Sequence, residues 1–136
     1  MTYSINVIGY WIDVNRHCLP SCTGVYFVYA CTFNPLPNTV TLRRLLYVGQ
    51  AMDINARLSN HEKRAVWGRY LSPGETVCYS YVQVDGRSLD VVEAALVYKL
   101  QPPSNDQLKQ AYLHDPVQLV ITGQWPFPQL ACFNVP

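Results

Sequence analysis

Two runs rich in β-branched and aromatic residues, Gly24 to Cys31 and Leu42 to Val48, flank the segment Asn34-Pro35-Leu36-Pro37-Asn38. Proline has no backbone N–H to give to a sheet ladder or a helix, so the chain turns there. The flanking runs therefore read as an antiparallel hairpin with an enlarged loop. Ile5 to Ile12 and Thr76 to Val84 carry the same strand signature, Thr76 to Val84 most clearly. Asp13 to Thr23, which contains Pro20, reads as an irregular loop, and a further short strand falls at Val117 to Thr122 before a Pro-rich, aromatic tail.

Helical spacing appears twice. From about Asp53 to Arg64 the residues Ile54, Leu58, His61 and Ala65 repeat along one face, Arg57 borders them, and Asp53 is suited to the N-cap. From Ser88 the apolar positions Leu89, Val92, Leu96 and Leu100 define a second helix, with Asp90 in its first turn and Pro102-Pro103 ending it. A shorter third helix is expected over Asp106 to Leu113. The fold class implied is α+β: a small antiparallel sheet of three or more strands flanked by helices.

Nothing in the pattern divides the 136 residues, so 1–136 reads as one domain, and with 49% hydrophobic and 14% charged residues it has the material for a packed core. The longest apolar runs are far shorter than the roughly 20 residues that cross a bilayer. The N-terminal Met1-Thr2-Tyr3-Ser4 lacks the features of a secretory signal, so a cytoplasmic setting without membrane association is expected. In that setting the five cysteines, an odd set, are read mostly as buried thiols. His17, Cys18 and Cys22 have the ligand types of a zinc site, but no second Cys/His pair occurs at finger spacing to complete it.

A net charge of +1 does not identify a partner. Arg43, Arg44, Arg57, Lys63, Arg64 and Arg69 do fall in a stretch with few acids. They read either as a phosphate-contacting patch, with Arg43, Arg44, Lys63 and Arg64 as candidate nucleic-acid contacts, or as a solvated face.

Three placements point to chemistry. Glu93 lies four residues after Leu89 and three before Leu96, within or beside a face that should be buried; a carboxylate there needs a cation, a set of donors or a metal ion, unless it reaches water at the stripe's edge. Arg57 and His61, four apart on a helix, would emerge from one face and could hold one phosphate, or be simply an exposed arginine and a half-buried histidine. Tyr26 and Tyr47 sit in the two strands of the hairpin beside glycines, where a tyrosine ordinarily serves packing.

The order of these residues resembles the GIY-YIG nuclease family. Gly24-Val25-Tyr26 and Tyr47-Val48-Gly49 look like its two tripeptides with valine for isoleucine, and the run from Tyr47 through Gln50, Ala51, Asp53, Ile54, Arg57, Leu58 and His61 resembles the family's second strand and first helix. Val92-Glu93-Ala94-Ala95-Leu96 resembles its glutamate helix, and Pro102-Pro103-Ser104-Asn105 the segment with its asparagine. The resemblance covers about residues 24–105, leaving an N-terminal strand and loop and a C-terminal extension. The loop between the tripeptides is longer than usual, and Gln50 stands where some members have lysine.

The resemblance implies a metal-dependent endonuclease that hydrolyses phosphodiester bonds, with DNA favoured over RNA. It gives Glu93 the role of sole protein carboxylate ligand to Mg2+, for which Mn2+ would substitute. Tyr26 becomes the general base, with Tyr47 as the competing assignment and His61 as an alternative proton relay. Arg57 stabilises the transition-state phosphate, and Asn105 orients Glu93 or a tyrosine by hydrogen bonding. Specificity would come from the enlarged hairpin loop, the Asp13 to Thr23 connection, the C-terminal tail, a homodimer or a partner protein. The contrasting expectations are a non-catalytic nucleic-acid-binding or protein-interaction module on the same fold, and a zinc-stabilised domain.

Overall fold

The computed structural model describes residues 1–136 as a mixed six-stranded sheet with helices on both faces. In chain order the elements are β1 (Thr2–Ile12), β2 (Gly24–Asn34), β3 (Thr39–Ala51), α1 (Ile54–Ser59), α2 (Arg64–Gly68), β4 (Thr76–Gln83), α3 (Leu89–Leu100), β5 (Val117–Gly123) and β6 (Cys132–Val135). The strands lie in the order β3-β2-β4-β1-β5-β6. No helix is long and apolar enough to cross a membrane.

The α+β class holds, but the sheet is not purely antiparallel: β1 and β5 run parallel from Thr2↔Gln118 to Val7↔Gly123. Turn signals report how neighbours in sequence pair; they carry no information on strands this far apart, which need no hairpin to meet. The tail also adds a strand, β6, whose alternate residues Phe133 and Val135 are buried while Cys132 and Asn134 are exposed.

β2 is the central strand for the site, and its first eight residues are all buried because both sheet faces are covered. Val25, Phe27 and Tyr29 point into a core shared with Val92, Ala95 and Leu96 of α3. Tyr26, Val28 and Ala30 point the other way, into a core with Ile54 and Leu58 of α1 and Trp67 of α2. The sheet thus separates α3 from α1 and α2.

Three local expectations change. The single helix over 53–64 is two short ones, because Asn60 leaves helical geometry at φ −147° and ψ 63°, so His61 lies in the turn after α1 and Ala65 is exposed. Asp53 does cap α1, its carboxylate accepting from the Ala56 N–H at 3.1 Å. Ser88 occupies the N-cap of α3 without a side-chain cap bond. No helix forms over 106–113: Leu108 takes φ +67°, and Leu108 and Leu113 remain exposed, so no apolar stripe would have been buried by folding one. Residues Asp13–Cys18, expected as irregular, form a 3-10 turn.

Candidate active site at the edge of strand β3

Residues on opposite faces of a sheet meet only around an edge, and β3 is an edge strand paired on one side with β2. The register places Tyr26 opposite Gly49 and Tyr47 opposite Val28, on the α1 side of the sheet. The two rings lie 6.2 Å apart between centroids. Gly49 is what lets them share the space: a Cβ there would collide with the Tyr26 hydroxyl and come within 2.9 Å of the Tyr47 ring. Gly24 is required for a different reason, since a Cβ would strike the Val82 carbonyl of β4.

The turn after α1 brings His61 under these rings. Its Nε2 is 2.8 Å from the Tyr26 hydroxyl, its Nδ1 accepts the Lys63 backbone N–H at 3.0 Å, and its ring centroid is 4.6 Å from that of Trp67. Burial first, and then the charges of Arg57 and Lys63, lower its pKa from 6.5 to about 4, so the ring is neutral at neutral pH. Burial and the neighbouring Tyr47 push the Tyr26 phenol well above its ordinary range, against the pull of Arg57 beside it. Tyr47 is only half-buried and its phenol is also raised by burial, while Lys63, with its Nζ 5.6 Å from the ring centroid, opposes the shift.

Arg57 does not share a helix face with His61 as the spacing predicts, yet it still reaches the same phenol. Its guanidinium is held as a fork by Glu62, Nη1 to Oε2 at 2.6 Å and Nη2 to Oε1 at 2.8 Å. That pair raises the Arg57 pKa and holds the Glu62 carboxyl well below the usual carboxylate range. Glu62 escaped the sequence reading because its role depends on the break at Asn60.

Glu93 approaches from α3, the other side of the sheet, and with Tyr47, Glu62 and Lys63 lines a cleft of about 260 Å3. It is half-buried, at the stripe's edge, with its Oε1 accepting from the Gln50 amide at 2.9 Å. Gln50 donates to Asp90 as well, at 2.8 Å. Burial chiefly, and then the charge of Asp90, raise the Glu93 pKa. Its charge is felt by both Tyr26 and Tyr47. A carboxylate in a polar cleft whose contact is a neutral amide rather than a cation suits a divalent ion with oxygen ligands. No three His, Cys, Asp or Glu side chains stand close enough to form a metal cluster.

Asn105 is buried but does not orient Glu93 or a tyrosine. Its amide pairs with both backbone groups of Val48, accepting at 3.0 Å and donating at 2.8 Å, while Ser104 bonds the Leu46 carbonyl. The backbone N–H of Ser104 also donates to the Leu46 carbonyl, at 3.0 Å, so residues 104–105 cover part of the open edge of β3 mainly through side-chain bonds. This ties the chain leaving α3 to the strand carrying Tyr47.

The basic patch is largely neutralised by acids from elsewhere in the fold. Arg44 pairs with Glu75, Lys63 with Asp106 at 3.0 Å, and Arg64 with Asp13 at 2.6 Å, while Arg43 donates to Thr32. Arg44, Lys63 and Arg64 are therefore not free phosphate contacts in this conformation, because acids distant in sequence fold onto them, whereas Arg43 is exposed and has no acid partner. The cysteines are all free, with Cys31 and Cys78 buried but Cys18 and Cys132 exposed, so fewer are interior thiols than expected. His17 bonds the Ser59 hydroxyl at 3.1 Å. Comparison of the chain with protein-family models, with curated proteins and with solved structures returns no match.

Proposed function

We propose that this domain is a metal-dependent endonuclease of the GIY-YIG type, hydrolysing phosphodiester bonds in nucleic acid with DNA as the favoured substrate. The observation that carries the reading is the convergence of Tyr26, Tyr47, Arg57, His61 and Glu93 at the edge of β3 from two strands, two sheet faces and a turn. Packing alone requires neither a carboxylate nor a guanidinium beside two phenols.

Glu93 would hold Mg2+, or Mn2+ in its place, and the ion would supply charge neutralisation at the phosphate. Arg57 offers a planar fork to non-bridging phosphate oxygens, where a preorganised cation acts more strongly than in water. Tyr26 is the general base. As phenolate its oxygen has two groups at hand to stabilise negative charge, Arg57 and His61. It removes a proton from the attacking water as the water oxygen bonds phosphorus and the ester oxygen leaves. Tyr26 is only 1% exposed, so the site must open before water reaches the phenol. Tyr47, which lines the cleft, contacts the phosphate.

Plasmid DNA, duplex and branched oligonucleotides and RNA, incubated with Mg2+ or Mn2+ and with a chelator control, test this reading. Metal-dependent cleavage that falls by about 100-fold or more in Tyr26→Phe supports it. Normal cutting by Tyr26→Phe moves the base to Tyr47. The pairing of Arg44, Lys63 and Arg64 with acids favours a second reading, a non-catalytic interaction module. Metal-independent binding without cutting would establish that one.

A further inference from the structure

The turn that carries His61 fixes the direction of its bond to Tyr26. The Lys63 backbone N–H donates to Nδ1 at 3.0 Å, and an amide N–H can only donate, so Nδ1 presents a lone pair and no proton. A neutral imidazole has a single N–H, which then sits on Nε2, 2.8 Å from the Tyr26 oxygen. From this we infer that His61 is a fixed hydrogen-bond donor to Tyr26, a positioning residue, and not the acceptor of the tyrosine's proton.

The surroundings keep a second proton off the ring. His61 is 4% exposed, packed on Trp67 and Tyr47, with the charges of Arg57 and Lys63 opposing an imidazolium. Glu62 acts in the opposite sense, but its nearest oxygen is 3.7 Å from Nδ1, beyond a hydrogen bond, and its carboxylate is engaged by Arg57. The catalytic meaning rests on Tyr26 being the base of the proposed nuclease, whereas the tautomer rests on the turn alone.

With the donor so placed, the Tyr26 oxygen receives an N–H whether it is phenol or phenolate, and its own proton is released to solvent rather than to His61. In the reaction the phenolate takes one proton from the attacking water, the water oxygen bonds phosphorus, and the leaving ester oxygen takes a proton from solvent. His61 keeps its single proton throughout. This replaces the relay that the sequence leaves open.

The test is nitrogen NMR of the imidazole in a His17→Gln/His114→Gln protein, which retains His61 as its one histidine and changes only two exposed rings. Two-bond proton–nitrogen correlations at neutral pH are expected to show a protonated Nε2 and an unprotonated Nδ1. A proton on Nδ1, or an imidazolium, overturns the inference.

Cleavage supplies the second readout. His61→Gln, which keeps an amide donor, is expected to remain within about tenfold of the parent, whereas His61→Leu falls by about 100-fold or more. Equal losses in the two variants overturn the donor role. If the parent protein cuts no nucleic acid the nuclease reading falls, and the nitrogen spectrum still decides the tautomer.

Discussion

Tyr26, His61 and Trp67 form the floor of the candidate site at 1%, 4% and 0% exposure, whereas Arg57 and Glu62 at its rim keep 36% and 66% of their side-chain surface accessible. The floor is held by ring packing and by a hydrogen bond that has no water competing for it, so its geometry is set on folding. The rim is held by charge pairs in high dielectric, which are worth about 0–1 kcal/mol each and exchange partners readily. In the proposed nuclease, a site of this kind would separate a preassembled part that positions the base from an adjustable part that receives the phosphate. The comparison also explains how Arg57 can be bound by Glu62 at rest and still be available to a substrate.

The largest expected effect tests whether the rim carries the chemistry. If the proposed nuclease reading holds, Glu93→Ala should abolish metal-dependent cleavage, and Arg57→Ala should lower it by about 100- to 1000-fold, since each removes a group that would act on the developing phosphate charge. Both side chains retain solvent access, so the unfolding midpoint of each variant should stay close to that of the parent. Plasmid nicking alongside denaturant unfolding checks this. Full activity of either variant would remove that residue from the mechanism.

Trp67→Ala should do the reverse. The indole is 0% exposed and touches Tyr47, His61 and Tyr79, so its removal leaves a cavity beneath the floor, costing about 3–5 kcal/mol of stability by denaturant titration. Activity should then fall through disorder of the tyrosines even at temperatures where the variant is folded.

Each half of the site was partly readable in the chain: Tyr26 and His61 of the floor and Arg57 of the rim were named from the sequence, while Trp67 and Glu62 were not. Tyr26 and Tyr47 emerge from the hairpin, because strand alternation and the Pro-bearing loop fix which strands pair and which faces the side chains take. Glu93 was visible as a carboxylate at the edge of an apolar stripe. The partners of Arg44, Lys63 and Arg64 were not, because Glu75, Asp106 and Asp13 reach them only after distant elements pack. His61 was found for a reason that proved incomplete: its spacing from Arg57 predicts a shared helix face, while the break at Asn60 puts it in a turn, where the Lys63 amide holds it. The parallel β1–β5 pair was hidden likewise, since no local signal marks a contact between strands so far apart.

A pH titration sharpens the contrast between floor and rim. The folded pKa of His61 is lowered from 6.5 to about 4, so burying the neutral ring stabilises the fold in full above the unfolded value, and this contribution is lost as pH falls from 6.5 through 4. The shift corresponds to about 3 kcal/mol at most. Asp13 and Glu62, whose carboxyl pKa values are also lowered, lose their contributions from their ordinary 3.8 and 4.5 downward, mostly below the histidine window. Glu93, whose carboxyl pKa is raised, acts in the opposite sense from 4.5 upward, so the ring's contribution is read as a difference: across that window the unfolding free energy should fall relative to that of His61→Gln as pH drops. Parallel curves for the two proteins would show that the ring is not held neutral by burial.

The smallest effect concerns the pair on the rim. If Glu62 occupies the Arg57 fork that a phosphate would use, Glu62→Gln frees it, and binding to a duplex oligonucleotide in a chelator should tighten by about two- to fivefold, the scale of one exposed ion pair. Removing an acid also lessens general repulsion of the polyanion. Comparing Glu62→Gln in the parent with Glu62→Gln in Arg57→Ala isolates the part that passes through the guanidinium. The coupling should shrink with added salt, since exposed charges are screened over about 10 Å at 0.1 M. Equal gains in both backgrounds would mean that Glu62 only adds negative charge to the cleft and that Arg57 receives no phosphate there.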